Sequence, residues 1–469
     1  MRDACFQPIA EIVGRLQAGS LTSERLVDDQ LRQIERHNGK LRAFIDVYAE
    51  DAIANAIALD RLRAAGTVLG PLHGVTVAIK DLFEIEGKAI TGGSKSTAPR
   101  VSRTTATAVH KLRQAGAIVM GKTHTVEYAF GGWGTNTTMG TPWNPWDLEV
   151  HRVPGGSSSG SAVAVAAGMA TASIGTDTGG SVRIPAGLCN LVGLKTTYGL
   201  ISRHGLLELC PTHDTVGPLA RTVEDAAVLL DVLSGPDALD PVSASAPSRK
   251  VAGQLDLSVE GLRVWVLPDS ERVDVEPAVL DAYDRAIQLL ASMGMRLVHR
   301  ALPRSCGEYM RIAGSLMSAE GYARLGSLFE REDLEFDENV RRRILLGRDI
   351  DAARYIELLR TRDLAKAEMI AAMDGVEICA FPTNAITAIA VKDVDELATP
   401  LSRFGRFVNL LNLCSVAVPC GFSAAGMPIS IQFIGRPYGE PLVLRAAHAY
   451  EKATTWHEQV PQGLSWTRS

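Results

Sequence analysis

Residues 154–200 read PGGSSSGSAVAVAAGMATASIGTDTGGSVRIPAGLCNLVGLKTTYGL, and how this segment folds governs the reading of everything around it. Two Gly-Gly-Ser triplets, Gly155–Ser157 and Gly179–Ser181, bracket a helix of small residues and a buried strand. Pro154–Thr176 carries no charge over 23 residues, long enough to span a bilayer, but its Gly and Ser content argues against a membrane segment. Glycine pairs ahead of a serine let the backbone take conformations closed to other residues and turn consecutive N–H groups toward a ligand.

Working outward, strand and helix patterns alternate on both sides. Upstream, Ile9, Ile12, Val13 and Leu16 form one helical stripe closed by Gly19, a second helix opens after Thr22, and residues 49–65 form a third. The β-branched run from Gly74 to Ile79 reads as a buried strand ending at Lys80. A helix from Thr105 to about Gly116 precedes a strand at Ala117–Met120. Downstream, Leu262–Leu267 is a strand, Pro277–Met293 a helix, and Leu297–Val298 opens another strand. This alternation predicts an α/β fold around a largely buried sheet. Pro236–Lys250 reads as a surface linker, and 305–374 as a charged helical insertion in which Arg341, Arg342 and Arg343 form a solvated face. No boundary separates two cores, so one domain over 1–469 is expected, with a helical segment at 1–67 and a variable insertion around 305–374.

The composition narrows the function. With 46% hydrophobic and 22% charged residues, the 469-residue chain is neither disordered nor a coiled coil. Lys plus Arg is 48 against 53 for Asp plus Glu, a net charge of −5, which offers no electrostatic footprint for nucleic acid. Seven cysteines lie scattered without C-x-x-C spacing, as expected of reduced buried thiols, and the ten histidines form no zinc pattern. The N-terminal residues, broken by Asp3, Glu11 and Arg15, do not read as a signal peptide, and a cytoplasmic protein is expected.

For the glycine-rich segment, a phosphate loop requires G-x-x-x-x-G-K-[ST], and no lysine follows these glycines. Gly156–Gly160 formally matches a G-x-S-x-G nucleophile elbow, which would make Ser158 the nucleophile with His213–Asp214 or another histidine as partner. The other chemistry is acyl transfer, in which a glycine nest holds the oxyanion while the serine ending it attacks.

The segment resembles the amidase signature family in GGSSSGSA at Gly155–Ala162, GTDTGGSVRIPA at Gly175–Ala186 and VGLKTTYGLISRHG at Val192–Gly205. Collinear matches extend to PLHGVTVAIKDLFEIEG at Pro71–Gly87, DTVGPLARTVEDA at Asp214–Ala226, FPT at Phe381–Thr383 and VPCGF…GMPISIQFIG at Val418–Gly435. The resemblance implies an α/β/α domain around a large mixed twisted sheet. It implies a Ser–Ser–Lys apparatus in which Ser181 is the acylated nucleophile, Ser157, preceded by a cis peptide, relays the proton, and Lys80 is the base. The N–H groups of Thr178, Gly179, Gly180 and Ser181 would form the oxyanion hole, and Ala129, Phe130, Gly131, Gly132 and Trp133 would face the substrate. Asp177 and Arg183 read as a scaffold pair and Lys195 as structural.

The expected activity is hydrolysis of a non-peptide C–N bond in a small amide, carbamate, hydrazide or urea derivative, with no cofactor or metal. Expected partners are the small substrate and a second copy in a homodimer, without nucleic acid or membrane. The alternative is the glutamine-amidase subunit of a tRNA-dependent amidotransferase complex.

Overall fold

The computed structural model describes residues 3–96 and 99–464; residues 1–2, 97–98 and 465–469, inside the expected 1–469 domain, lie outside the described residues. The chain opens with α1 (Ile9–Gln17), whose Ile9, Ile12 and Leu16 are buried, and α2 (Ser23–Leu41), capped by Thr22 accepting from the Arg25 N–H at 3.1 Å. Strand β1 (Phe44–Val47) then interrupts the helical segment expected over 1–67, before α3 (Ala49–Ala64) resumes it. Four residues are too few for period-two alternation to register.

Next come β2 (Thr76–Lys80), the small hairpin β3 (Ala89–Ile90) and β4 (Arg100–Val101), α4 (Thr107–Gln114) and β5 (Ile118–Thr123). The central segment forms α5 (Ser159–Ala166), β6 (Ala172–Asp177), α6 (Arg183–Leu188) and β7 (Val192–Lys195), followed by β8 (Thr215–Ala220) and α7 (Val223–Leu233). All eight residues of α5 are buried, which is why it carries only small and β-branched residues. At Gly160 a Cβ would sit 2.3 Å from the Ala43 carbonyl oxygen and 2.4 Å from the His124 nitrogen, so only glycine permits this approach.

The remainder comprises β9 (Arg263–Val266), α8 (Pro277–Ser292), β10 (Arg296–Val298), α9 (Cys306–Phe329), α10 (Glu338–Leu345) and α11 (Ala352–Ala372). It closes with β11 (Ile378–Pro382), α12 (Arg406–Leu410), β12 (Cys414–Phe422), β13 (Pro428–Gly435) and α13 (Glu440–Lys452). Eleven strands make one mixed sheet in the order β1-β5-β2-β6-β8-β7-β12-β13-β11-β9-β10. Successive strand residues feed opposite layers: Val77 and Ile79 join the core beneath α4 and α7, whereas Ala78 joins the one beneath α3 and α5. The fold is therefore helix–sheet–helix, as expected.

Pro236–Lys250 is not a free linker: Ser243 and Ala246 are buried, the Arg203 N–H donates to Asp240 at 2.9 Å, and the Ser202 hydroxyl donates to Asp237 at 2.6 Å. Residues 305–374 are helical, and α9 packs on α12 beside the end of β6. The seven cysteines are all buried and unpaired. Among the described residues no helix is long and apolar enough to cross a membrane.

Candidate active site

Strands β2 and β6 are adjacent and parallel, with Ile79 opposite Ile174, so both end at one edge of the sheet. Ligands of α/β sheets are characteristically held at such carboxyl ends. Lys80, the last residue of β2, is fully buried there; its Nζ lies 2.7 Å from Ser157 Oγ and 2.8 Å from Thr176 Oγ1. The neighbouring Asp81 is not its counter-ion, because Asp81 pairs with Lys122 at 3.0 Å and accepts from Thr91. With two hydroxyls as its hydrogen-bond partners, Lys80 is lowered by burial to about 7, against the weaker opposing pull of Asp214 and Asp177.

The Gly156–Ser157 peptide is cis, as the resemblance implied. Ser157 is held by its carbonyl, which accepts from the Val126 N–H at 3.2 Å and Thr125 Oγ1 at 3.0 Å. Its Oγ is thereby presented to Lys80 and sealed from solvent. Ser181 is 7% exposed against 0% for Ser157, so of the two it is the one the cavity reaches.

The loop from Asp177 to Arg183 is braced from within. Arg183 Nε and Nη2 each lie 3.1 Å from the Asp177 carboxylate, and the guanidinium also reaches Gln432, Gly405 O and Asn409. Burial alone would raise the Asp177 carboxyl, but Arg183 and the Gly180 N–H outweigh it and hold it at about 2. The scaffold pair expected from sequence is thus present. One expected oxyanion donor is otherwise engaged: the Gly180 N–H points back to Asp177 Oδ1 at 2.7 Å, a turn that φ of 116° at Gly180 allows. The N–H groups of Thr178, Gly179 and Ser181 donate to no acceptor among the described residues. Three of the four expected donors are therefore open.

Sequence reasoning missed the role of Asp214. It accepts from Thr178 Oγ1 at 2.6 Å and from the N–H groups of Leu209 and Cys210, pinning the first oxyanion residue from outside the loop. Burial raises this carboxyl to about 6. The elbow alternative separates: Ser158 Oγ is tied to the Thr176 backbone at 3.3 Å, and His213 Nδ1 meets Thr212 Oγ1 at 2.8 Å and Cys210 Sγ at 3.2 Å. His213 instead joins Cys210 and Glu320, whose ligand-type atoms lie within 4.8 Å of one another. That grouping has no sequence signal because Glu320 arrives from α9. Thr212 and Tyr355 hydrogen-bond the same carboxylate, and burial lowers His213 to about 3. Lys195 is structural, donating to Leu413 O at 2.5 Å.

Above Ser181 lies a narrow cavity walled by Ala129, Phe130, Gly131 and Gly132, as the sequence suggested, together with Met317, Ser402, Arg343 and Arg406. Positive φ at Tyr128 and Ala129 turns this loop inward, and the Gly156 N–H donates to Gly132 O at 2.8 Å, fastening it to the serine segment. Trp133 belongs elsewhere. It is 3% exposed, packs with Val153, Ile184, Leu188 and Leu401, and its indole N–H donates to Ala398 O at 3.1 Å, so it is a packing residue and not a pocket wall. Arg343 also departs from expectation. Far from being solvated, it turns inward, donating to Phe130 O at 2.8 Å and pairing with Glu396.

The Amidase family profile matches residues 25–444. A glutamyl-tRNA(Gln) amidotransferase subunit of Geobacter metallireducens (strain ATCC 53774 / DSM 7210 / GS-15) is 38% identical, with 96% of this chain and 98% of that protein covered. A chain solved in the inhibitor-bound vestigial complex bearing on the origins of an s-triazine catabolic enzyme superposes with a TM-score of 0.89 at 31% identity, covering 95% of this chain and 98% of that one. The peptide amidase from Stenotrophomonas maltophilia superposes with a TM-score of 0.83 at 30% identity, covering 96% and 97%. The Geobacter metallireducens relative is named as a subunit of a glutamyl-tRNA(Gln) amidotransferase, which runs in part against the expectation of a small substrate and a second copy as partners, without nucleic acid. A profile match over nearly the whole chain, joined to the signature segments now seen around one sheet edge, means that this chain belongs to the amidase signature family.

Proposed function

We propose that this chain hydrolyses a carboxamide-type C–N bond through an acyl-enzyme on Ser181. The observation that carries the reading is a buried lysine, lowered to about 7, 2.7 Å from Ser157 and below a loop with three open N–H groups. Neutral Lys80 draws the Ser181 proton through Ser157 as Ser181 Oγ attacks the carbonyl carbon. The oxyanion is met by the N–H groups of Thr178, Gly179 and Ser181. The proton returns along the same route to the leaving nitrogen, and water then releases the acid. Ser181 Oγ makes no hydrogen bond to a described residue, and the contact to Ser157 closes when the carbonyl is bound, as is common for apo sites.

Two finer readings each rest on a specific observation. The relatives' names favour glutamine as the amide, with this chain as the ammonia-releasing component of an amidotransferase that includes protein partners and tRNA; they weigh more for this than for any free-standing substrate. The cavity favours a free-standing amidase, because among the described residues no Asp or Glu lines it to receive the ammonium of glutamine. Ammonia release from glutamine and from simple amides by the isolated chain separates the two. Turnover of simple amides alone supports the free-standing enzyme, and glutamine turnover that appears only with copurified partners supports the amidotransferase component. Loss of either activity in Ser181→Ala supports the common chemistry, and its retention overturns it.

A further inference from the structure

The turn that carries Asp214 brings together a second set of side chains, apart from Lys80, Ser157 and Ser181. In Cys210-Pro211-Thr212-His213 the His213 N–H donates to the Cys210 carbonyl at 2.9 Å, and this turn sets Cys210 Sγ 3.2 Å from His213 Nδ1. Glu320 arrives from α9 with Oε2 3.2 Å from the same sulfur, and the three residues are 0%, 1% and 7% exposed in chain order. No Lys or Arg pairs with this carboxylate among the described residues; it is met by neutral donors alone. Thr212 Oγ1 at 2.6 Å and Tyr355 Oη at 3.0 Å hold Oε1, while the thiol and the Thr212 N–H, at 3.0 Å, meet Oε2. A carboxylate oriented in this way, beside a thiol and an imidazole, has the outer hydrogen bonds that fix metal ligands.

We propose that Cys210, His213 and Glu320 form a binding site for a zinc-class divalent cation that clamps the 210–214 turn to α9. Bonds of ~2.3 Å to sulfur and ~2.0 Å to nitrogen or oxygen that span 3.2 Å meet at roughly 95°, and opening to the tetrahedral angle needs only about 0.3 Å of movement. One sulfur, one imidazole nitrogen and one carboxylate oxygen suit zinc or cobalt, whereas magnesium and calcium seek oxygen alone. Binding displaces the thiol proton to solvent, so thiolate and carboxylate together cancel the charge of the ion. Lys195, Arg362 and Lys366 bear on His213 from nearby, and Asp363 pairs with the latter two at 3.2 Å and 3.9 Å. The half-buried Thr212 and Tyr355 mark the approach from solvent. Thr212 Oγ1, 2.8 Å from His213 Nδ1, or a water completes the ligand set. The clamp joins two supports of the active site: the turn holds Asp214, which pins Thr178, and α9 supplies Met317 to the cavity wall. The ion is structural and takes no part in acyl transfer, so the site stands whether or not Ser181 is the nucleophile.

The test uses the full chain, purified without an affinity tag and stripped with EDTA. Titration with cobalt(II) should give a stoichiometric thiolate-to-cobalt charge-transfer band, bleached by zinc(II) and untouched by magnesium or calcium. Zinc should also raise Tm by several degrees, as binding to the folded state alone requires. Cys210→Ser should abolish both the band and the Tm rise. His213→Gln and Glu320→Gln should each weaken cobalt binding roughly tenfold or more. Cys5→Ala, which alters a buried thiol elsewhere, should bind as wild type. Where a variant fails to fold, zinc-edge X-ray absorption of the wild-type protein decides: one sulfur at ~2.3 Å with nitrogen and oxygen at ~2.0 Å is expected. Absence of both band and Tm rise would show a hydrogen-bonded cluster only and overturn the proposal. A band that survives in Cys210→Ser, cobalt affinity unchanged in both His213→Gln and Glu320→Gln, or a zinc shell without sulfur would overturn it equally.

Discussion

Replacing Asp177 by Asn removes the negative charge around which the nucleophile loop is folded. The carboxylate accepts from the Gly180 N–H at 2.7 Å, the Val182 N–H at 3.1 Å and two nitrogens of Arg183 at 3.1 Å. An amide offers one oxygen and turns an NH2 toward a donor. Its carboxyl is held at about 2 against an ordinary ~3.9, and at ~1.4 kcal/mol per unit that is roughly 2–3 kcal/mol, net of the cost of burial. The variant also leaves a guanidinium, itself 1% exposed, facing only neutral acceptors, and breaking a buried pair from one side costs about 3–5 kcal/mol. A loss of about 3 kcal/mol is expected, read as a lower urea midpoint at unchanged slope. Because the folded pKa is depressed, this contribution is complete above about 4 and disappears as pH falls through about 2, so the gap between variant and wild type should narrow only in strong acid. Activity should fall further than stability, since Gly180 is released. A variant within about 1 kcal/mol of wild type, with normal turnover, would refute the claim that this pair shapes the loop.

Three further outcomes follow from the same geometry. Ser181→Ala should reduce turnover to background, whereas Ser157→Ala, which keeps the nucleophile and oxyanion donors, should retain a small rate; equal residual activities would argue against a relay. Trp133→Phe should cost about 1–2 kcal/mol in thermal or urea unfolding through the lost indole hydrogen bond and packing, with KM unchanged. A shifted KM at unchanged stability would return Trp133 to the pocket wall. Chelators should leave activity unchanged, since the proposed steps use no Lewis acid; loss on chelation with recovery by zinc would give Cys210, His213 and Glu320 a catalytic role.

How much of this was legible depends on the range of the interaction. The TVAIK strand and its terminal lysine are local facts, written in β-branched residues and a single charge. The buried α5 was readable because a helix enclosed on all sides admits only small or apolar residues. The Gly180 turn carries a local signal of its own: an Asp whose carboxylate accepts from the N–H three residues on is a familiar turn device. The three consecutive arginines misled because at about 100° per residue they sweep roughly 200° of the helix, and Arg343, next to the buried Ile344, is the one turned inward. Asp214 bracing Thr178, Glu320 joining His213, and Arg406 standing over Gly179 join segments 36 to 227 residues apart; no periodicity encodes them.

The central claim, that neutral Lys80 is the base for acylation of Ser181, is tested most directly by the pH dependence of single-turnover acylation in wild type and Lys80→Arg. Lys80 is lowered to about 7 and acts only when deprotonated, so the wild-type rate should rise with pH through one ionisation near 7 and then level. Arginine does not deprotonate in a protein, so Lys80→Arg should be inactive at neutral pH although its charge is retained. A Lys80→Arg enzyme acylated at near-normal rate at about pH 7, or a wild-type rate flat across that ionisation, would contradict the assignment.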